Sequence, residues 1–558
     1  MESDVTLVVN PEGRVIHLSP GSNLLGAFLA AGVDVPVFCN ENGSCGKCRV
    51  IVKAQSNLIT ELEILSLGET LAKEGYRLAC KTEIFGSGEV IIPEESHEDF
   101  IESAYFGNEL SIIKKKKFPY TVSRPGASAN CRRGYSIALD IGTTTLTGYM
   151  FDNHGDLVSY CSCFNPTTLY GADVITRLTS LQDGKGDFTK LRQGLFRGIK
   201  RLISTLFLRG VENKALSVSV GFNRVCRVAV CGNTIMQHIF LGSDPVRIGL
   251  FPYKPLVKDI IKIKSAGLKD FHIMGLDEGA EIIVAPSVSS FIGGDAVCCV
   301  LTTQLHRLSE PSLLIDLGTN GEIVFSHEGN LFAASASAGP AFEGYSISAG
   351  MRATAGAIDS VLIDGLNIHY SVIGGGKPKG ICGSGAVSAV SAMLKAGILT
   401  EKGHIIPTIA SSMIRKSVLT IAAGDETATG ASIIISDKDV EVIQQAKAAF
   451  ASGIIGLLRA AGIRVEELKK IFIAGAFGSK IDVESLRTVG IIPYNAKADV
   501  ETVGNAAGTG IAMLLLSGEA EKEASEIANI TKTVGFASTK EFEDEFIDAL
   551  FFRNNVNA

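Results

Sequence analysis

Three thiols stand in one short loop, Cys39, Cys45 and Cys48 in FCNENGSCGKCRV, and a fourth, Cys80, follows in RLACKT. Thiolates are soft anionic ligands, and four in this grouping suit two irons bridged by two sulfides. Gly43 and Gly46 free the backbone to wrap a compact cluster and turn N–H groups toward its sulfurs. The arrangement, C-x5-C-x2-C…C, has one residue more in its first gap than the plant-type C-x4-C-x2-C…C. Two other readings compete: a zinc site, whose ligands more often come as two C-x2-C pairs, and plain buried thiols.

A second chemistry is written twice. SIALDIGTTTLTGYMFDNHGDLV, residues 136–158, runs an apolar strand into Asp140, Gly142, Thr143, Thr144 and Thr145, then into a second strand and a turn. LLIDLGTNGEIVFSHEGNL, residues 313–331, repeats the pattern with Asp316, Gly318, Thr319 and Asn320. Glycine lets backbone N–H groups approach an anion, threonine hydroxyls add donors, and an aspartate at a strand end offers a hard oxygen to Mg2+. One such loop is a common turn. Two copies, each followed by a strand and a turn, imply two like-folded halves facing each other across a cleft and gripping the phosphates of one nucleotide.

Three further stretches join this set. Lys470–Ile473 reads as a strand ending in Ala474-Gly475-Ala476-Phe477-Gly478-Ser479, a loop suited to lie under an adenine ring or to serve as a plain strand–helix turn. Gly383 and Ser384, in GICGSG before the apolar stretch Ala386–Leu394, offer a helix N-terminus to phosphate or simply begin a helix. Glu343, in GPAFEG, reads equally as a carboxylate orienting water or Mg2+ and as a helix-start acid. His238 reads as a core or helix histidine, and Cys298 and Cys299 as buried inert thiols.

The elements that must position these residues follow from periodicity. Val5–Val9 and Arg14–Leu18 alternate as two strands about an Asn-Pro-Glu-Gly turn, Asn23–Ala31 is a short helix, and Leu58–Lys73 looks helical. A strand at Arg49–Val52, a segment Arg77–Glu83 carrying Cys80, and Gly88–Ile92 complete a unit over residues 1–93. Residues 94–133 run from acidic to a Lys114–Lys117 block and then to Pro119, Pro125 and Gly126, the composition of a linker. The expected divisions after it are 134–220, a middle domain with the first phosphate loop, and 221–558, an ATPase domain. Ser436 should cap a helix from Asp437 to about Arg459.

Composition narrows the classes. At 558 residues the chain holds several domains, and 46% apolar with 20% charged residues is ordinary for a globular protein. A net charge of −7 gives no support for nucleic-acid binding. No apolar run is long enough for a membrane helix, so no membrane partner is expected. Twelve cysteines without an export signal suggest reduced thiols and a cytoplasmic location.

The paired DIGTTT and DLGTNG loops with AGAFGS resemble the superfamily of acetate and sugar kinases, actin and heat-shock ATPases. The cysteine loop with its flanking hairpin and helix resembles a β-grasp [2Fe–2S] ferredoxin. Together, in this order, and with GNTIMQH, GPAFEG, GMRA, ICGSGAV and SDKDVEVIQQAKAA, they are similar to the reductive activators of corrinoid-dependent proteins. The resemblance implies an α/β multidomain fold: a ferredoxin-like domain followed by two ribonuclease-H-like halves. It implies ATP-dependent return of a corrinoid cobalt from Co(II) to Co(I) on a partner protein of a methyl-transfer system. Cys39, Cys45, Cys48 and Cys80 would then hold the [2Fe–2S] cluster. Asp140 with Gly142–Thr145, and Asp316 with Gly318–Asn320, would hold Mg2+ and the phosphates of ATP, and Gly475–Gly478 would face the adenosine. An electron donor such as ferredoxin or flavodoxin is expected, and a homodimer is allowed for. The alternatives are a small-molecule kinase with a fused redox domain and an activator of another low-potential enzyme.

Overall fold

The computed structural model describes residues 5–93, 100–101, 119–121 and 134–552, apart from 12, 34, 36–42, 44–47, 68, 172, 185, 218, 251–254, 256–257, 319, 345, 366, 407–416, 476–480 and 536–539. Cys39, Cys45, Thr319, Ala476, Phe477 and Gly478 therefore lie outside the described residues.

The N-terminal unit is a mixed five-stranded sheet. β1 (Val5–Asn10) pairs antiparallel with β2 (Arg14–Leu18) and buries alternate residues, Val5, Leu7 and Val9. Helix α1 (Leu24–Ala31) packs Leu24, Leu25 and Phe28 inward; Asn23 caps its first turn by accepting from the Gly26 N–H, and Gly32 ends it in the left-handed conformation. β3 (Arg49–Lys53), β4 (Tyr76–Leu78) and β5 (Gly88–Ile91) complete the order β2-β1-β5-β3-β4. The stretch expected to be one helix over Leu58–Lys73 is two: α2 (Glu61–Leu67) and α3 (Glu69–Lys73). Glu63 of α2 is fully buried beneath a bidentate bridge from Arg77, whose Nε and Nη2 donate at 2.9 and 3.1 Å. That pair pins α2 to β4, one segment before Cys80.

In the linker, Phe100–Ile101 adds a short edge strand to the next sheet, and the buried Tyr120 accepts from Gln304 Nε2 at 2.8 Å.

Two sheets of like topology form the rest. In the first, β6 (Tyr135–Ile141), β7 (Thr145–Phe151) and β8 (Leu157–Phe164) make an antiparallel meander. After helix α4 (Phe188–Glu212), β9 (Val225–Cys231) joins β6 in parallel; helix α5 (Thr234–Leu241) follows. β10 (Ile261–Lys264) and β11 (Glu281–Val284) complete the far edge. Helix α6 (Gly294–Thr303) leads to the second sheet. There β12 (Ser312–Asp316), β13 (Gly321–His327) and β14 (Asn330–Ala336) form the same meander, and β15 (Lys470–Ala474) and β16 (Asp499–Gly504) extend it in parallel. The first sheet thus carries β6 at its centre as the second carries β12. These are the two ribonuclease-H-like halves that the repeated loops imply.

The expected division between residues 220 and 221 is corrected by this pairing. β9 lies against β6 in one ladder, Val230 opposite Leu139 and Cys231 opposite Asp140, so the first half runs on past residue 220. Helix α7 (Gly383–Lys395) and the 25-residue α8 (Asp437–Ala461) cover the second sheet; Ser436 and Asp439 form a capping box at the start of α8. Helices α9 (Ala506–Leu516) and α10 (Gly518–Ile530) return toward the first half. A separate apolar core joins the halves at their base, drawing on Val297, Leu301, Leu314, Ile511 and Leu515. There α6 and α9 cross at backbone distance, since a Cβ on Gly510 would lie 2.1 Å from the Cys298 carbonyl oxygen.

Candidate functional site

The first loop follows β6 because the apolar strand ends at Asp140-Ile141 and Gly142 turns the chain; a Cβ at Gly142 would meet the Thr145 carbonyl oxygen at 2.8 Å. Asn165, just past β8, fixes the turn from behind, donating through Nδ2 to the Gly142 carbonyl at 2.7 Å and through its backbone N–H to Thr144. The fully buried Arg177 donates to the carbonyls of Gly171 and Thr143, a cation lodged behind the loop whose acidity burial increases, moving its pKa down to about 9. Asn233 caps α5 through Oδ1 and with Nδ2 donates to Thr143 Oγ1 at 3.0 Å.

The second loop leaves β12 in the same way. Leu317 donates its N–H to Ala474, and Gly475, at φ +103°, turns the third loop directly against it. A Cβ at Gly475 would lie 2.6 Å from the Leu317 carbonyl oxygen and 3.0 Å from Asp316 Oδ1, so the contact between the two loops depends on glycine there.

These loops open on one solvent-connected cleft of about 1080 Å³, its open mouth included. Asp140, Gly142, Thr143, Thr144 and Thr145 line it from one half; Asp316, Gly318, Asn320, Glu343 and Gly475 line it from the other. Asn320 Nδ2 reaches Thr143 Oγ1 at 3.4 Å across the gap. Gly383 and Ser384 are not part of this lining. They begin α7, one of the two readings the sequence offered, and the next residue is closely packed: a Cβ at Gly385 would sit 2.2 Å from the Ile358 carbonyl oxygen. Ser384 Oγ lies 3.2 Å from Cys382 Sγ.

The cleft also gathers groups that no local pattern assigned. Asp295, the second residue of α6, and Glu322, opposite Asp316 in the β12–β13 ladder, join Asp140 and Asp316. Asn505 caps α9 with Oδ1 and donates from Nδ2 to Asp140 Oδ2 at 3.0 Å. Two thiols stand beneath the aspartates, Cys231 Sγ at 3.9 Å from Asp140 Oδ1 and Cys299 Sγ at 3.5 Å from Asp316 Oδ2. Burial raises the pKa of Asp140, Asp295 and Asp316 each to about 7, with neighbouring carboxylates adding to it; Glu322 is raised well above its usual range for the same reasons. Both thiols are pushed up by burial, so they remain protonated donors. A nest of partly desolvated acids favours protonation or a matching cation. Among the described residues no three such groups converge tightly enough to enclose a metal alone. An ion held by one or two carboxylates that keeps water and ligand oxygens for the rest, as Mg2+ does, fits this geometry.

At the N-terminus, Cys48 and Cys80 are both buried with their Sγ atoms 3.4 Å apart, and the Ala79 N–H donates to the Cys48 carbonyl at 2.8 Å. Thiols from two segments thus converge as a [2Fe–2S] site requires. His238 is a buried helix histidine, with Nδ1 2.7 Å from the Thr234 carbonyl oxygen.

Signals existed for part of what local reading missed. Glu322 is an acid inside an otherwise apolar strand, and Asp295 follows a glycine pair. Asn505, and Arg352 on the same cleft lining, carried none that assigns a role without knowing which segments meet.

Comparison with known proteins agrees with this layout. The 2Fe-2S iron-sulfur cluster binding domain matches residues 7–84, the RACo middle region 135–308, and the C-terminal domain of RACo, the ASKHA domain, 310–558. The chain is 33% identical over 434 residues to the corrinoid activation enzyme RamQ of Eubacterium limosum, covering 76% of this chain and 71% of that one. It is 29% identical over 396 residues to the [Co(II) methylated amine-specific corrinoid protein] reductase of Methanosarcina barkeri, covering 66% and 67%. A solved reductive activator for a corrinoid, iron-sulfur protein superposes with a TM-score of 0.69 at 27% identity over 98% of both chains. With its three regions matched in order, the chain belongs to the RACo family of reductive activators of corrinoid proteins, with a [2Fe–2S] domain at its N-terminus.

Proposed function

We propose that this protein uses ATP to restore Co(I) from Co(II) on a corrinoid protein of a methyl-transfer system, in the cytoplasm. The observation that carries the reading is the meeting of Asp140 and Asp316, with their glycine–threonine loops, in one cleft on a chain that also carries the convergent Cys48 and Cys80. When bound by Cys39, Cys45, Cys48 and Cys80, the [2Fe–2S] cluster supplies a one-electron carrier at about −400 mV. Each 100 mV uphill costs about 2.3 kcal/mol per electron, which gives a reason for ATP.

Asp140 and Asp316 hold Mg2+ or its water shell, which neutralises charge on the phosphates. The N–H groups and hydroxyls of Gly142–Thr145 and of Gly318–Asn320 cradle the phosphate chain from the two halves. Gly475–Gly478 faces the adenosine, and Glu343 orients water or the ion's shell. ATP therefore favours the closed arrangement of the halves, because a ligand that bound open and closed forms equally would shift nothing. A low-potential electron donor such as ferredoxin or flavodoxin reloads the N-terminal domain, and the reading allows for a homodimer. Among the described residues no helix is long and apolar enough to cross a membrane.

The test is anaerobic mixing with a Co(II) corrinoid protein and a reductant, followed by visible spectroscopy. Co(I) should appear with ATP and not without it. Equal Co(I) formation in both samples refutes the ATP-driven reading.

A further inference from the structure

Asp140 lines the cleft together with four other carboxylates, Asp295, Asp316, Glu322 and Glu343. A carboxylate that is to hold a cation or its waters needs a fixed direction and an intact negative charge. A lysine or arginine beside it would supply the direction but offset the charge. Asp140 has a neutral donor instead: Asn505 Nδ2 reaches its Oδ2 at 3.0 Å. Among the described residues the other donor on this carboxylate is the Cys231 thiol, 3.9 Å from Oδ1 and a much weaker partner.

The amide of Asn505 has one orientation open to it. Its Oδ1 accepts from the Gly508 N–H at 2.8 Å as the cap of α9, so Nδ2 is the end that faces Asp140. Turned over, it would set an oxygen against the carboxylate and an NH2 against an N–H. The residue is only 8% exposed, and its backbone is fastened on both sides. Gly504, which ends β16 at φ +65°, accepts from the Gly475 N–H at 2.9 Å, and Thr302 Oγ1 of α6 donates to the Ala506 carbonyl at 2.7 Å. The segment thus joins the third loop and α6 to the aspartate of the first loop. Capping alone does not call for asparagine, since serine and aspartate cap about as well. Serine is shorter, and an ionised aspartate has no donor. Asparagine caps the helix and keeps a donor for Asp140.

We infer that Asn505 is a positioning residue for the cation site: its amide fixes the direction of the Asp140 carboxylate and leaves its charge to Mg2+. The inference rests on the reading of Asp140 as a holder of Mg2+ or its water shell. The test is calorimetric titration of the full chain with ATP, in Mg2+ and in EDTA, for wild type, Asn505→Ser, Asn505→Ala, Asp140→Asn and the double variant of Asn505→Ser with Asp140→Asn. Urea midpoints are measured alongside. The ratio of the two ATP affinities is the gain that Mg2+ confers. Asn505→Ser, which keeps the cap, should lose about 10-fold or more of that gain, as removal of a metal ligand's hydrogen-bond partner does, with its urea midpoint near wild type. Asn505→Ala should lose the same gain and also lower the urea midpoint, because the cap goes too. In the Asp140→Asn background, Asn505→Ser should cost nothing further. A full Mg2+ gain in Asn505→Ser, an equal loss in Mg2+ and in EDTA, or an undiminished loss in the Asp140→Asn background overturns the inference and leaves the nucleotide site standing. A wild type that gains nothing from Mg2+ overturns the inference and the cation reading together. A wild type that binds ATP in neither condition overturns the nucleotide reading as well.

Discussion

Replacing Asp295 by Asn should make the nucleotide-free protein more stable at alkaline pH while weakening its hold on Mg-ATP. Asp295 is a half-buried acid that lines the cleft with Asp140, Asp316 and Glu322, and desolvation first, then the Asp140 charge, lifts its pKa from 3.8 to about 7. The sign follows from linkage. Below pH ~4 the group is protonated in both folded and unfolded chains and costs nothing. Between ~4 and ~7 the unfolded chain ionises first, so folded stability falls as pH rises, and above ~7 the full penalty remains. A shift of about three units is about 4 kcal/mol at ~1.4 kcal/mol per unit, a ceiling for the ionised group. At pH 4.5 only about 1 kcal/mol of this is in force, because the unfolded carboxyl is then mostly ionised by less than one unit's worth. Asn keeps the shape and the acceptor for the Ala296 N–H, which Asp295 Oδ1 takes at 2.8 Å. Burying its amide costs about 1–3 kcal/mol at any pH. The clean quantity is therefore the difference in the variant's effect between pH 8 and pH 4.5, expected at about 1–3 kcal/mol in favour of pH 8. Thermal and urea unfolding in EDTA without nucleotide measure it, and calorimetry with Mg-ATP measures the opposite effect on binding. An effect of Asp295→Asn that does not change with pH would refute the reasoning.

Other outcomes follow from the same geometry. Cys45→Ser should bleach the visible iron–sulfur absorption while nucleotide binding persists, because the thiols and the cleft belong to separate sheets; calorimetry on the bleached protein decides it. Asp316→Ala should abolish ATP hydrolysis and Co(I) formation together with the iron spectrum intact, and Asp316→Asn retaining most activity would reduce Asp316 to a turn residue. Gly510→Val should destabilise the ATPase region by more than about 2 kcal/mol, since its Cβ would meet the Cys298 backbone at 2.1 Å and two helices would have to part; a lowered urea midpoint is the readout.

The loops and caps were legible because each is written within a few adjacent residues. Asp140-Ile141-Gly142-Thr143 and Asp316-Leu317-Gly318 announce their strand ends, and Ser436 with Asp439 announces a helix start. What was not legible is what sequence-distant segments make by meeting. The division at residue 220 failed because β9 reaches β6 only through a parallel crossover, and parallel pairing leaves no local signature. Gly383 and Ser384 stayed ambiguous because small residues serve close packing as well as phosphate approach; they begin a helix outside the cleft lining, and the neighbouring Gly385 is packed onto the Ile358 carbonyl. Asp295, Glu322, Asn505 and Arg352 come to the cleft from four segments, and none of them alone reveals that it joins the others.

The way these segments meet bears on how ATP could act. At the base of the cleft α6 and α9 touch backbone to backbone at Gly510, within a continuous apolar core. α6 also supplies Asp295, and the cap of α9 supplies Asn505, so acids and their partner are mounted on the rigid part. Toward the mouth the halves meet through polar and aromatic contacts, Asn320 with Thr143 and Arg352 with Phe164. Dense apolar packing resists shear and polar contacts open at lower cost, so any motion between the halves would leave the apolar core in place. A nucleotide bound between Gly142–Thr145 and Gly318–Asn320 would replace those weak contacts with charged ones.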